Sequence, residues 1–137
     1  MSKILYSLKS LKGLLKKEKP SQVIIVTSAK LASKLGWAIK EIGLSKKDLI
    51  LIPDGEIAKE WEQMQTLLNK FIERGLDRKS IVIALGGGPI GDVVGFASAI
   101  YLRGIKYIQV PTTLLAQVDS AHGGKTGINF LHYKNPD

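Results

Sequence analysis

No cysteine occurs in the chain, so disulfides and thiolate metal sites are excluded, and a reducing compartment fits. No apolar run reaches the roughly 18 residues that a membrane-spanning helix needs. Acids are in the minority, 12 against 20 lysines and arginines, and there are only two histidines. The opening segment MSKILYSLKSLKGLLKKEK is basic but has no uninterrupted apolar stretch, so it does not read as a secretion signal. No internal repeat or low-complexity tract is present. Cytoplasm is the expected location, with no membrane partner.

What is present is ordinary for one soluble globular domain: 137 residues, 45% hydrophobic and 23% charged. A chain of this size buries roughly two thirds of its unfolded surface. The net charge of +8 raises the question of nucleic acid. Much of it lies in Lys3, Lys9, Lys12, Lys16, Lys17 and Lys19, opposed by Glu18 alone. Leu5, Leu8, Leu11 and Leu15 stand behind these lysines, which describes a solvated, partly helical face. No series of aromatic residues interleaves the lysines, and no helix-turn-helix or RNA-recognition signature follows. Nucleic acid is not an expected partner; the cations further along suit a small anionic substrate.

Hydrophobic periodicity sets out an alternation of elements. Val23 to Val26 is continuously apolar and β-branched, as in a strand covered on both faces. Leu31, Leu35, Ala38 and Ile42 recur at helical spacing, closed by Gly43. Leu49 to Ile52 is a second buried strand, ended by Pro53. Trp61, Met64, Leu68, Phe71 and Ile72 form a helical stripe that Gly75 stops. Ser80 to Leu85 is a third strand, Val93 to Tyr101 a helix, Tyr107 to Val110 a fourth strand, and Thr113 to Val118 begins another helix. Such alternation with short links predicts an α/β fold, a Rossmann-like parallel sheet with helices on both faces, occupying 1–137 as one nucleotide-binding domain.

Chemistry concentrates between 86 and 135. Gly86-Gly87-Gly88-Pro89-Ile90-Gly91 fits G-x-G-x-x-G directly after a strand and before a helix, the context in which backbone amides meet a pyrophosphate. A tight strand-to-helix turn without ligand explains the same glycines. Pro89 suits a helix start, where its missing N–H costs nothing. Gly91 and Gly95 offer a smooth helix face. Asp92 is expected as a buried carboxylate in the first turn of that helix, either favoured by the helix dipole or bonding a cofactor hydroxyl. Asp54, Gly55 and Glu56 form a turn after a strand, with Lys59 one helical turn on; a turn with a helix-starting acid accounts for them without ligand. The ribose-binding acid of an ordinary dehydrogenase is missing, since the next strand runs into Pro111-Thr112. Gly123-Gly124-Lys125-Thr126-Gly127 is not a P-loop, because Asp119 stands where its first glycine belongs. Arg103, Lys125 and Lys134 are expected near the carboxyl ends of strands, suiting a phosphate- or carboxylate-bearing substrate, although each alone reads as a surface charge.

The run GGG-x-hydrophobic-GD, then RG, then QVPTTLLAQVDS, then GGKTGIN, then KN resembles dehydroquinate synthase, a sugar-phosphate cyclase family, over about 50 residues; PDGE-x-x-K upstream matches more weakly. The resemblance implies NAD as cofactor, held by Asp54, Gly55, Glu56, Lys59, Gly87, Gly88, Pro89, Ile90, Gly91, Asp92, Thr112 and Thr113. It places Lys125 and Lys134 at the cofactor–substrate boundary, Asp119 and Asn135 on the substrate, and Arg103 toward a neighbouring subunit's phosphate site, hence a homodimer. It implies conversion of a seven-carbon keto-acid phosphate to dehydroquinate with phosphate release, in aromatic amino-acid biosynthesis. NAD transiently oxidises a ring hydroxyl, and a divalent metal, zinc or cobalt, acts as Lewis acid.

Several positions depart from that pattern. Pro89 replaces a small aliphatic residue, Ala121-His122 a Ser-Val pair, and Tyr133 a small or flexible residue. Ser28-Ala29-Lys30 lacks the Asp or Asn used toward the adenosine end. The family's Glu and two His metal ligands belong to a following helical domain, which is expected to be missing, and His122 and His132 do not match them. No metal ligand is therefore assigned, and the chain alone is expected to be inactive. A non-catalytic module that holds NAD or pairs with a separately encoded metal domain, and a related cyclase with another substrate, remain alternatives.

Overall fold

Alternating side chains along the interior strands account for the layers of this fold. A computed structural model describes residues 2–5, 8–55, 60–111 and 133–134, the first and last of these segments as backbone. Among them one sheet contains β1 (Ser2–Leu5), β2 (Val23–Thr27), β3 (Leu49–Leu51), β4 (Ile81–Gly86), β5 (Lys106–Pro111) and β6 (Tyr133–Lys134), in the order β3-β2-β4-β5-β1-β6. The first five are mutually parallel, and β6 runs antiparallel to β1. Their helices are α1 (Leu8–Glu18), α2 (Ala29–Lys34), α3 (Gly36–Glu41), α4 (Trp61–Glu73) and α5 (Gly88–Ile100).

Period-two alternation sends Ile24, Val26, Val82 and Ala84 to one face, where they meet Leu67 and Phe71 of α4 and Ile90, Val94 and Ala97 of α5. Ile25, Ile81, Ile83, Ile108 and Val110 point the other way, onto Leu11 of α1 and Leu35, Ala38 and Ile39. Right-handed crossovers explain the division. The chain steps one way across the sheet from β1 to β2 and from β2 to β3, placing α1, α2 and α3 on one face. It steps the opposite way from β3 to β4 and from β4 to β5, placing α4 and α5 on the other. All six residues of β4 are buried, which accounts for its lack of any polar residue. Phe71 is fully buried, a side chain whose removal from water stabilises by roughly 1.5–3 kcal/mol.

The four expected strands and the parallel sheet with helices on both faces are present. Two edge elements add to them. β1 reads in the sequence as the start of a basic helical face and becomes a strand because Ser2, Lys3 and Ile4 pair with Tyr107, Ile108 and Gln109. The helix expected around Leu31–Ile42 is broken at Leu35, whose φ of −110° and ψ of 23° leave the helical region before Gly36 restarts it. The α4 stripe is rotated from expectation. Met64, Leu67 and Phe71 are buried, while Trp61 is 62% and Ile72 64% exposed. The helix expected from Thr113 lies outside the described residues.

Candidate functional site

The strand order creates one place where the chain diverges. From β2 it departs to the α2–α3 face, and from its neighbour β4 it departs to the α5 face. Between the carboxyl ends of such a pair a crevice opens that neither connection covers, the usual ligand position in open α/β sheets. Here it is bounded by Thr27 and Ser28 on one side and by Gly86, Gly87 and Gly88 on the other.

The walls of the crevice are fixed by hydrogen bonds. Thr27 Oγ1, fully buried, donates to the Leu85 carbonyl at 2.7 Å, tying β2 to β4 at their ends. The Thr27 carbonyl accepts from the Ile52 amide at 2.9 Å, bringing in the end of β3. Ser28 caps α2, its hydroxyl accepting from the Leu31 amide at 3.2 Å. Sequence reasoning placed no binding residue at Thr27. The available signal was a hydroxyl directly ending an all-apolar strand, where an unpaired polar group would be costly.

On the other wall α5 starts at Gly88 with Gly87 as its N-cap, and Pro89 lies in the first turn as expected. Neither Gly87 nor Gly88 has a positive φ. Among the described residues, a Cβ at Gly88 would meet nothing within 4 Å, and one at Gly87 only Pro89 Cδ, at 3.9 Å. The fold itself therefore does not demand glycine at Gly88. Open space in front of first-turn amides, with no acidic residue in that turn, fits the diphosphate of a dinucleotide. Gly91 has an internal reason: its Cβ would lie 2.2 Å from Gln109 Nε2, so its absence lets α5 settle on β5. Ile90 is fully buried under the turn and belongs to the core, not to the surface of the crevice.

Asp92 differs from expectation. It lies in the second turn of α5, on the exposed face, since Gly88 and not a later residue begins the helix. Asp54 and Gly55 do form a turn: the Gly55 amide donates to Asp54 Oδ1 at 2.9 Å, and Gly55 has φ +73°, a conformation that favours glycine. Both are exposed, just beyond the carboxyl end of β3.

Arg103 is not near the carboxyl ends of the strands. It follows α5 in a 3₁₀ turn at the amino end of the sheet, a helix length of about 20 Å from the glycine turn. Leu102 and Arg103 have φ of 49° and 67°, left-handed values that non-glycine residues seldom adopt. Lys134 is described as backbone only. It pairs with Ile4, which pairs with Gln109, which in turn pairs with Ala84. That row puts it level with the carboxyl half of β4 but three strand spacings away, about 14 Å. Glu56, Lys59, Thr112, Thr113, Asp119, Lys125 and Asn135 lie outside the described residues, as do His122 and His132. Among the described residues no group of three acids or histidines gathers as a metal site would require.

The clear pKa displacements occur at the amino end. Hydrogen bonds from the Ser21 hydroxyl, the Lys79 amide and Ser80 hold Asp77 below the ordinary carboxylate value. Burial, and secondly the charge of Asp77, push the Tyr101 phenol up. Among the described residues no helix is long and apolar enough to cross a membrane.

The family described as 3-dehydroquinate synthase N-terminal matches residues 49–136. The chain belongs to the 3-dehydroquinate synthase family. A 3-dehydroquinate synthase of Helicobacter hepaticus is 49% identical over 115 residues, covering 83% of this chain and 33% of that protein. The chain thus spans about a third of the length of the curated relatives it matches. Among solved structures, the 2-epi-5-epi-valiolone synthase ValA of Streptomyces hygroscopicus, with NAD+ and Zn2+ bound, is 29% identical with a TM-score of 0.64 over 95% of this chain and 37% of its own. A 2-deoxy-scyllo-inosose synthase complexed with carbaglucose-6-phosphate, NAD+ and Co2+ has a TM-score of 0.63 at 22% identity, over 81% of this chain and 32% of its own, and shares the fold.

Proposed function

We propose that the chain is the nucleotide-binding part of a dehydroquinate synthase, and that NAD lies across the crevice between β2 and β4. The observation that carries this reading is Gly88, a glycine that neither its backbone conformation nor packing among the described residues requires, at a helix start that those residues leave open. The backbone amides of Gly88 and Ile90 would take the diphosphate, since Pro89 has no N–H to offer. Asp54, Gly55, Glu56, Lys59, Thr112 and Thr113 would contact the rest of the cofactor. Lys125 and Lys134 would neutralise the anionic substrate, Asp119 and Asn135 would orient its hydroxyls, and Arg103, remote from this chain's own crevice, would serve a second subunit's phosphate site.

In this reading the reaction is the cyclisation of a seven-carbon keto-acid phosphate to dehydroquinate with loss of phosphate, within aromatic amino-acid biosynthesis in the cytoplasm. Bound NAD supplies the hydride acceptor and donor for one ring hydroxyl. The residues of this chain bind and orient; a metal such as zinc or cobalt would be held by a further part of the protein.

Titration of the purified chain with NAD tests the proposal. At about 100 times its dissociation constant, NAD should stabilise the fold by roughly 2.7 kcal/mol. No stabilisation at millimolar NAD overturns the cofactor assignment. Incubation with NAD, zinc and the keto-acid phosphate should release no phosphate from this chain alone; release would overturn its dependence on a further domain.

A further inference from the structure

A second concave site lies on the outer side of the sheet. Because the helix after β2 breaks at Leu35, α2 and α3 leave part of β3 uncovered, and an open groove of about 900 Å³ runs beside them. Its floor is apolar, with Ala32, Ile39, Leu44, Leu49 and Leu51. Leu51 is 48% exposed there, although its neighbour Ile50 is 1% exposed on the opposite face. Among the described residues β3 is an edge strand, paired only with β2.

The polar part of the lining is one-sided. Lys40 and Lys46 line the groove together with the hydroxyl residues Ser33 and Ser45, and no carboxylate does. The surrounding segment 28–51 carries five lysines against Glu41 and Asp48. Asp48 is not in the lining, but its Oδ2 accepts from the amide of Ser45, which is, at 2.9 Å. Small-molecule sites typically combine a volume of roughly 300–1,000 Å³, a mostly apolar lining and a few polar groups. Gly36 also lines the groove, and a Cβ there would meet nothing within 4 Å.

We propose that this groove binds a small amphipathic carboxylate, its apolar body over Leu44, Leu49 and Leu51 and its charge met by Lys40 and Lys46. A neutral ligand of the same shape would forgo the charge interaction, and a cationic one would face two lysines with no acid in the lining. The groove reaches Ala29, next to Ser28 at the wall of the crevice, but its lysines and its floor of Leu44, Leu49 and Leu51 belong to α3 and to the segment around β3, so the proposal does not depend on the cofactor assignment.

NMR titration of the full chain with 2-naphthoate, and with 2-naphthamide as the neutral control, tests the proposal. Saturable shifts should appear at the amides of Ala32, Ser33, Gly36, Lys40 and Leu44, with the amide control at least about tenfold weaker. Gly36→Phe, which fills the groove at a position with ordinary backbone angles, should abolish the shifts while its thermal unfolding stays cooperative. The double substitution Lys40→Glu and Lys46→Glu should weaken binding by about tenfold, equivalent to 1.4 kcal/mol. The proposal is overturned by an absence of saturable shifts at millimolar naphthoate, by equal affinity for the neutral control, or by unaltered binding to folded Gly36→Phe. Displacement of naphthoate by NAD would also overturn it, since the groove would then be part of the dinucleotide site.

Discussion

At the amino ends of the strands polar groups close on the protein's own atoms, whereas at the carboxyl ends of β2 and β4 the backbone stands open. The closed end is dense. Asp77 is bonded to Ser21, Ser80 and the Lys79 amide. The Tyr101 hydroxyl donates to the Leu76 carbonyl at 2.7 Å, and its ring meets Phe71 edge-on at a centroid distance of 5.4 Å. Arg74 donates to the Lys47 and Leu49 carbonyls, at 2.7 and 2.6 Å, joining the end of α4 to the entrance of β3. The open end has Thr27 bracing two strands, and beyond it glycine. One end keeps the layers together; at the other, the first-turn amides of α5 are uncovered by the described residues.

Four substitutions separate the two ends, beginning with the largest effect. Phe71→Ala removes a fully buried ring, and denaturant unfolding should show a loss of about 3–5 kcal/mol; a loss under 1 kcal/mol would mean that the closed end does not anchor the fold. Gly88→Asp should leave unfolding without cofactor nearly unchanged, because its side chain enters open space. It should nevertheless erase the roughly 2.7 kcal/mol of NAD stabilisation expected at saturation. Equal NAD response in both proteins would contradict a diphosphate at the turn. Thr27→Val takes away a buried hydrogen bond and should cost about 1–3 kcal/mol, because the Leu85 carbonyl loses its hydroxyl partner. Its NAD response should fall as well if the brace shapes the crevice. Asp77→Asn should have the smallest effect. A depressed folded-state pKa contributes stability above the ordinary carboxylate value of 3.8 and loses it as pH falls through the folded value. Unfolding measured at about pH 6 and about pH 3 should therefore show a steeper acid loss in the parent than in Asp77→Asn.

The central strands were legible because their information is local. Val23–Val26 and Ser80–Leu85 announce burial by composition, and the glycine turn announces itself by position after a strand. What the sequence concealed came from distance. The Thr27–Leu85 bond joins residues 58 apart, so no window of neighbours contains it. β1 is a strand only by virtue of β5, and the direction of α5 decides that Arg103 ends up away from the glycines. Asp92 was misplaced by a different route: Gly88 and Pro89 begin the helix, and an earlier start turned the carboxylate from the first turn to the exposed side of the second. The stripe on α4 failed at both ends, because Trp61 and Ile72 repeat at helical spacing yet fall outside the arc that touches the sheet.

The bend after α5 has a thermodynamic consequence. Leu102 and Arg103 sit side by side in a twist that side-chain-bearing residues pay for, at about 1–3 kcal/mol each, and Leu102 keeps 46% of its surface in water while doing so. Asparagine or glycine at 102 should relax the corner and raise the melting temperature, since both tolerate the left-handed region better than leucine.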